Sequence, residues 1–464
     1  MSADLTHELP VVVIGAGPVG LAAAAHLLEQ GLEPLVLEAG DRPAAAVRAW
    51  GHVRLFSPWE HDLDDAAVRL LEPTGWELPD RAALPTGAEL VERYLAPLAA
   101  TPQLSGRIRT GTRVVAVSRV GVDKTRTVGR AGRPHLVRTV VHGQVEDVMA
   151  RAVIDASGTW GQRSPLGAAG LPAVGEDQAA DWLVGPLPDV LGRDRARFAG
   201  RHTLVVGMGH SAANTLLALV ELQRTEPGTR ISWAIRGRSP ARLYGGGDAD
   251  GLPARGLLGS TLEAAVQAGH VELHREVALT RFTPSDGLLR VTGTGRDGAP
   301  VDLHVDALAG ATGFRPDLDV LREVRLQLDP ALEAPVRLAP LIDPNAHSCG
   351  TVPPHGHREL AHPDEGFYLA GMKSYGRAPT FLLATGYEQV RSIAAALAGD
   401  LAAADAVRLR LPSTGVCSTD LTDREDAETG GVGFATGSAH GWSAEEPASC
   451  CGAAPEPLAT ARPS

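Results

Sequence analysis

The chain has 464 residues, of which 44% are hydrophobic, and its formal net charge is -12 at pH 7. This length predicts two or three domains. The acidic balance argues against nucleic acid as the main partner, because phosphate recognition needs clustered positive charge. The N-terminus lacks a charged leader followed by an apolar core, and no apolar run approaches the roughly 18 residues of a membrane span. The sequence therefore predicts a cytoplasmic protein with neither a nucleic-acid nor a membrane partner.

The first forty residues have the pattern of a dinucleotide-binding unit. An apolar strand, VVVI, runs directly into the turn GAGPVG. Gly15 permits the tight turn, Gly17 lets the backbone approach a pyrophosphate, and Gly20 lets the next helix pack on the strand. A lone glycine motif also fits a surface turn, but the flanking strand and helix favour nucleotide binding. The predicted cofactor contacts here are Gly15, Gly17, Pro18, Gly20 and Glu38, the last with a carboxylate for ribose hydroxyls.

An aromatic segment, WGHVRLFSPW, begins at Trp50. Its flat side chains could pack on a flavin or nicotinamide ring, or they could anchor a loop on the core. Thr86 is a predicted cap for a helix over residues 88–96 that Pro97 ends. Alternating runs at 113–117 and 136–141 predict antiparallel strands, and the first of them holds a further predicted cofactor contact, Val115.

Small residues follow the next buried strand, and two of them, Ala156 and Gly158, leave room for a cofactor against the backbone. A second strand, turn and helix then begin near residue 202, with Ala212 in place of the third glycine. The following strand ends in arginines rather than a carboxylate, which favours a ligand with a 2'-phosphate unless both are solvated surface charges. The predicted contacts to this second nucleotide are Gly207, Gly209, His210, Ser211, Ala212, Arg236 and Arg238.

A later apolar strand that ends at Gly371, another predicted cofactor contact, and a helix over residues 380–397 return the chain to the first fold. The predicted fold class is α/β, with two Rossmann-like dinucleotide-binding domains of which the first is split around the second. The predicted domains are residues 1–165 and 310–411 for the first, 166–309 for the second, and a disordered tail over 412–464.

Five motifs together resemble the two-dinucleotide-binding-domain flavoproteins, and most closely their flavin-containing monooxygenase-like branch. They are GAGPVG at Gly15, LPTGAELVERYL at Leu84, IDASGTW at Ile154, FAGRHTLVVGMGHSAAN at Phe198 and GATGFRPD at Gly310. The resemblance covers the chain from about residue 9 to 399, and it implies FAD in the first fold and NADPH in the second. One departure is that the segment at Trp182 reads WLVGPLP where such monooxygenases carry F-x-G-x-x-x-H, which puts oxygen insertion in doubt.

Two further runs, HSCGTVPPHG at His347 and GMKSYGRAPTFLLATGYEQVRS at Gly371, resemble the flavin-binding monooxygenase-like proteins encoded in actinobacterial arsenic-resistance clusters. The resulting prediction is an NADPH-dependent FAD oxidoreductase, monooxygenase-like, that uses oxygen and acts on a small soft nucleophile such as a thiol or a trivalent arsenical. The alternatives are a reductase of a metalloid, disulfide or other acceptor without oxygen insertion, and a non-enzymatic metalloid-binding flavoprotein. The sequence has no C-x-x-C motif for a dithiol mechanism of its own.

The four cysteines are candidates for chemistry of two kinds. Cys417 and the adjacent pair Cys450 and Cys451, which resembles the C-terminal pair of mercuric reductases, could capture a soft metalloid, or they could be incidental thiols. Cys349 and Lys373 are the catalytic candidates. A histidine near Cys349 could lower the pKa of its thiol, whereas Lys373 is chosen from its position in the family. No metal site is predicted, because a pair of prolines disfavours a His and Cys cluster around Cys349.

Overall fold

Strands and helices alternate along most of the chain in the computed structural model, which describes residues 8–245, 247, 250–344, 352–379 and 381–409. The strands are β1 (Val11–Ile14), β2 (Pro34–Leu37), β3 (Ile108–Arg109), β4 (Thr112–Arg119), β5 (His135–Val141), β6 (Gln144–Ala150), β7 (Ala152–Asp155), β8 (Leu183–Val184), β9 (His202–Val206), β10 (Arg230–Ala234), β11 (Glu272–His274), β12 (Ala278–Ser285), β13 (Leu288–Thr294), β14 (Pro300–Val305), β15 (Ala307–Gly310) and β16 (Phe367–Leu369). The helices are α1 (Pro18–Glu29), α2 (Ala45–Ala49), α3 (Trp59–Asp62), α4 (Asp65–Leu71), α5 (Gly87–Leu90), α6 (Ala96–Ala99), α7 (His210–Thr225), α8 (Ala241–Tyr244), α9 (Pro253–Gln267), α10 (Ala339–Ile342), α11 (Leu383–Leu397) and α12 (Leu401–Asp405).

The first sheet is parallel and has the order β16-β7-β1-β2-β3. Its central strand β1 is buried throughout, as its wholly apolar sequence requires of a strand covered on both faces. The strand β16 pairs with β7 although more than two hundred residues separate them. The first sheet therefore contains strands that precede the second fold in the sequence and one strand that follows it.

The helix α1 is buried along most of its length, and its alanines let it lie close to the sheet. A Cβ added to Gly20 would lie 1.9 Å from the Gly15 carbonyl oxygen, so only glycine permits this approach of helix and turn. The helix α11 packs against α1. These two helices and the apolar residues of the sheet form the main hydrophobic core of the first fold.

The second sheet is also parallel, has the order β11-β10-β9-β15-β8, and takes all its strands from residues 183–310. A three-stranded antiparallel sheet, β12-β13-β14, accompanies it. The predicted fold class is thus confirmed, with two Rossmann-like folds of which the first is split around the second. The domain boundaries stay predictions, and the predicted tail lies outside the described residues.

The predicted antiparallel insertion is present as the sheet β4-β5-β6. The predicted cap is also present, because the Thr86 hydroxyl accepts a hydrogen bond from the Glu89 N–H while the Glu89 carboxylate accepts one from Thr86 N–H. The prediction that Pro97 ends this helix is wrong. A π-helical turn over Val91–Leu95 joins α5 to α6, so the helix continues past Pro97. The Arg93 carbonyl oxygen, which an N–H at position 97 would meet in an α-helix, instead accepts a hydrogen bond from the Trp76 indole N–H.

Among the described residues, no helix is both long enough and apolar enough to cross a membrane.

Candidate functional site

The first glycine turn forms an open surface at the N-terminus of α1. Gly15 has a φ of +96°, and Gly17 precedes the helix in an extended conformation without a side-chain cap. A Cβ built on Gly17 meets no atom within 4 Å, and the first turn of α1 contains no acidic residue. Pro18 occupies the first helical position, where its fixed φ suits the helix. Free N–H groups and the helix dipole at this position fit a pyrophosphate.

Glu38 lies beside this turn at the end of β2. Its Oε2 accepts a hydrogen bond of 2.8 Å from the Ala16 N–H, and its Oε1 accepts one of 2.7 Å from the Gly40 N–H. A carboxylate has about four lone-pair sites, so both oxygens can still accept hydrogen bonds from ribose hydroxyls. The residues present therefore fit the adenosine half of a dinucleotide.

The remaining predicted contacts of the first fold follow the carboxyl ends of the other strands. Ala156 and Gly158 follow β7, and Gly371 follows β16, so all three lie on the edge where ligands of parallel sheets bind. Gly158 has a φ of +68°, and a Cβ there would meet nothing within 4 Å. Gly371 has a φ of +67° and lies against Val19 of α1. Val115 is the extra residue at a bulge in β4 and is 37% exposed.

A cavity of about 220 Å³ lies between the two nucleotide folds. The aromatic segment lines one side of it, with Trp50 and Phe56. The N-terminal turn of α7 lines the other side, and the ring centroid of His210 is 5.1 Å from that of Phe56. The full lining is Trp50, Val53, Arg54, Leu55, Phe56, Ser57, Leu187, His210, Ser211, Asn214, Phe381, Leu382 and Leu383. A largely apolar cleft with a few polar groups is the usual form of a small-molecule site.

The second glycine turn precedes α7 as the first precedes α1. Gly207 has a φ of +124°, and a Cβ there would lie 2.1 Å from the Ala311 carbonyl oxygen, so this position needs glycine. Gly209 precedes the helix and has open space at its Cβ position. Ala212 is fully buried in the first turn, beside Ser211. Burial, together with the charge of Arg255, lowers the pKa of His210 to about 4, so this side chain is neutral at pH 7.

The two predicted phosphate-reading arginines follow β10, and both are exposed. The Nε of Arg238 is 3.4 Å from a carboxylate oxygen of Glu276. Arg236 makes no ion pair with any residue that the structure describes. Of the two arginines, Arg236 is therefore the more available to bind a phosphate.

Lys373 is buried, with 1% of its surface exposed. Its Nζ lies 2.7 Å from Asp155 Oδ2 and 3.1 Å from Ser157 Oγ. Asp155 ends β7 and is fully buried, so Lys373 holds the segment that carries Ala156 and Gly158. Asp155 was not predicted as a site residue, although a carboxylate at the end of an apolar strand signals a buried charge that needs a partner.

Ser57 and Asp62 are two further residues of the site that were not predicted from the sequence. Asp62 is fully buried at the end of α3, and its Oδ1 accepts a hydrogen bond of 2.8 Å from the Ser57 hydroxyl. Burial raises the pKa of Asp62 to about 7 against the lowering effect of that hydrogen bond. No pattern in the acidic segment PWEHDLDD marks one carboxyl as buried, because its burial depends on the packing of α11.

The four cysteines, at positions 349, 417, 450 and 451, lie outside the described residues. The described residues contain no group of His, Asp and Glu side chains that could hold a metal ion.

Comparison with known proteins connects this geometry with flavoproteins. Residues 10–89 match the family model of FAD dependent oxidoreductases. A ferredoxin–NADP reductase of Ralstonia nicotianae is 31% identical over 216 residues, which are 46% of this chain and 48% of that reductase. The matched region thus spans about half the length of this curated relative.

Two solved structures share the fold. The bacillithiol disulfide reductase Bdr of Bacillus cereus superposes with a TM-score of 0.62 at 20% identity, over 84% of this chain and 99% of that one. DfoA bound to FAD, the cadaverine monooxygenase of desferrioxamine biosynthesis in Erwinia amylovora, gives a TM-score of 0.58 at 14% identity, over 88% of this chain and 99% of that one. At these identities the likeness shows the fold alone. The match of residues 10–89, which contain the first glycine turn and Glu38, to the family model of FAD dependent oxidoreductases agrees with the predicted FAD cofactor.

Proposed function

We propose that the chain is an NADPH-dependent FAD oxidoreductase that acts on a small molecule. The observation that carries this proposal is a single cavity of about 220 Å³ lined by the aromatic segment of the first fold and by the N-terminus of α7 in the second. A hydride donor held on the second turn and an acceptor ring held on the first would meet there. When bound, FAD supplies the redox chemistry by accepting a hydride and passing the electrons on.

The protein's own groups have distinct roles in this proposal. The first glycine turn binds the pyrophosphate of FAD, and Glu38 orients its ribose. Trp50, in the cavity wall, would contact the flavin ring, and Val115, at the bulge in β4, would be a further contact of FAD. Arg236, exposed and without an ion pair among the described residues, binds the 2'-phosphate of NADPH. The apolar walls limit water at the site of hydride transfer.

The first candidate for the electron acceptor is oxygen, with oxidation of a soft nucleophile such as a thiol or a trivalent arsenical. The resemblance to flavin-containing monooxygenases supports it, as do the apolar walls, because they would keep water from the reduced cofactor. The same proposal includes capture of the metalloid by Cys417, Cys450 and Cys451. It also includes a catalytic role for Cys349 and a cytoplasmic location.

The second candidate is a reductase that passes electrons to a disulfide, a metalloid or another acceptor without oxygen insertion. A specific observation favours it, because Leu187, from the segment that replaces the monooxygenase histidine motif, lies in the cavity wall. An apolar side chain there supplies no proton and no hydrogen bond. The similarity to a ferredoxin–NADP reductase also supports this candidate.

Anaerobic mixing of the FAD-loaded protein with NADPH tests the proposal. We expect the flavin absorbance to bleach faster with NADPH than with NADH. Protein that binds no FAD, or bound FAD that NADPH does not bleach, would refute it. Admitting oxygen with a thiol or arsenite then separates the candidates. Equal consumption of NADPH and oxygen with an oxygenated product supports the monooxygenase, whereas reduction of a disulfide without oxygen supports the reductase.

A further inference from the structure

A buried carboxyl group lies directly behind one polar group of the cavity wall. Ser57 lines the cavity and is 7% exposed. Its hydroxyl is 2.8 Å from Oδ1 of Asp62, whose side chain has no contact with solvent. Ser57 therefore connects the cavity to a carboxyl group that solvent does not reach.

Asp62 has an incomplete set of hydrogen bonds. Within the described part of the chain, its Oδ2 is buried and has no hydrogen-bond partner, and no Lys, Arg or His lies within ion-pair distance of it. Buried carboxyl groups are normally paired or fully hydrogen-bonded, because desolvation of the charge is costly. Such a group at a cavity is a candidate for function.

The groups packed around Asp62 supply no positive charge to it. From α11, the Tyr387 hydroxyl donates a hydrogen bond of 2.8 Å to the Asp62 carbonyl oxygen. From the π-helical turn, the Tyr94 hydroxyl accepts one of 3.1 Å from the Asp64 N–H. Burial raises the pKa of both tyrosines well above the usual value, so both are neutral. The side chain of Asp64 is occupied by His26 of α1, at 2.8 Å, and by the N-terminus of α4.

The neighbouring residues of α3 and the π-helical turn are also directed elsewhere. The Arg93 guanidinium lies over the Trp59 ring, 5.9 Å from its centroid. The ring of His61 lies 3.7 Å from the carboxylate of Glu60. Burial thus dominates at Asp62 and raises its pKa to about 7, where both protonation states are populated.

The protonation state of Asp62 decides whether the Ser57 hydroxyl can donate a hydrogen bond into the cavity or can only accept one. When Asp62 is ionised, the Ser57 hydroxyl donates its hydrogen to Oδ1 and presents only an acceptor to the cavity. When Asp62 is protonated, it can donate to Ser57 Oγ, which frees the serine hydrogen to point into the cavity. A proton passes outward when Ser57 gives its hydrogen to a group in the cavity and takes the Asp62 proton in its place. No electrons move, and Asp62 is left ionised.

We propose that Ser57 is the catalytic hydroxyl that delivers a proton into the cavity and that Asp62 is the positioning residue that supplies this proton from behind the wall. This inference rests on the proposed function. Oxygen insertion and disulfide reduction each consume one proton per turnover besides the hydride of NADPH, and Ser57 is a wall group with a buried carboxyl group directly behind it to supply that proton.

The experiment uses the full-length, FAD-loaded protein with the substitutions Asp62→Asn and Ser57→Ala. Glu60→Gln is the matched control, because Glu60 is an exposed carboxylate of the same helix. For the wild type and Glu60→Gln, we expect the turnover rate at saturating NADPH to fall about tenfold per pH unit above a midpoint near 7. Both Asp62→Asn and Ser57→Ala should lose this midpoint. A purely structural role would lower FAD content or stability but leave the pH profile of Ser57→Ala like that of the wild type, which would overturn the proposal.

Infrared difference spectroscopy of the FAD-free protein gives a second readout that needs no activity. A protonated carboxyl band should appear in the wild type as the pH falls through about 7, and it should be missing in Asp62→Asn. In Ser57→Ala the band should appear at a higher pH, because this variant lacks the hydrogen bond that lowers the pKa of Asp62. Absence of a carboxyl titration in that range would refute the inference on its own. If the wild type binds no FAD or is not reduced by NADPH, the proposed function fails instead, and the infrared result still reports on Asp62.

Discussion

Removal of the Lys373 charge should destabilise the protein strongly and release FAD. In Lys373→Met the side chain keeps its approximate volume but leaves the fully buried Asp155 carboxylate without its partner at 2.7 Å. Breaking one side of a buried pair costs about 3–5 kcal/mol, because the remaining charge stays desolvated. The segment after β7 would then lose its attachment to the turn that follows β16. We therefore expect lower FAD occupancy in addition to the lower free energy of unfolding.

Urea unfolding, followed by tryptophan fluorescence and circular dichroism together, measures this loss, since coincident transitions are needed for comparable free energies. The double variant Lys373→Met with Asp155→Asn should recover more than half of it, because no buried charge remains unpaired. Arg290→Met is the control, because it breaks an equally short but exposed ion pair with Asp302 and should leave unfolding unchanged. The reasoning would be refuted if Lys373→Met lowered the free energy of unfolding no more than the control does. If Lys373→Met kept full FAD content and activity, Lys373 would not belong to the site.

Three further outcomes follow from the geometry. Gly17→Ala should fold normally but bind FAD at least tenfold more weakly, because its Cβ enters open space at the helix N-terminus, whereas Gly20→Ala should also destabilise the fold through its 1.9 Å contact. Arg236→Ala should raise the KM for NADPH about tenfold or more without changing that for NADH, and Arg238→Ala should do so less, since it already has a carboxylate neighbour. Asp62 has a folded pKa of about 7, above its ordinary 3.8, so its protonation stabilises the fold at low pH. That stabilisation, at most about 4 kcal/mol, is lost as the pH rises from about 4 to 7 and should be absent in Asp62→Asn.

Different results would contradict these arguments one at a time. Unchanged FAD affinity in the Gly17 variant, measured by fluorescence titration, would mean that no phosphate approaches that turn. Equal effects of the two arginine substitutions in steady-state kinetics would remove the distinction based on Glu276. Parallel stability curves of the wild type and the Asp62 variant between pH 4 and 7 would show that Asp62 does not titrate in that range.

Both nucleotide folds could be predicted because their signals are local. The apolar strand β1, the positive φ of Gly15 and the close contact of Gly20 all follow from neighbouring residues in the chain. The strand β10 and its exposed arginines follow from the same kind of pattern. Periodicity and turn chemistry encode these elements without reference to the rest of the molecule.

The cavity could be predicted only in part, because its walls come from distant segments. The sequence left open whether the aromatic segment packs on a ring or on the core. In the structure, the aromatic segment does both: Trp59 is buried in the core, whereas Trp50 and Phe56 line the cavity. The burial of Asp62 and Asp155 was not predicted, because a carboxylate becomes buried through helices and strands that lie hundreds of residues away.

The position of β16 beside β7 has a consequence for biosynthesis. About 210 residues separate the two strands, and at about 5–20 residues per second a ribosome needs roughly 10–40 s to produce them. During that interval one edge of β7 has no neighbouring strand, although the other edge already pairs with β1. An unpaired apolar edge can recruit a foreign strand. The nascent chain is therefore exposed to misassembly during that interval, and early folding of the inserted second fold would bring the two strands together soonest.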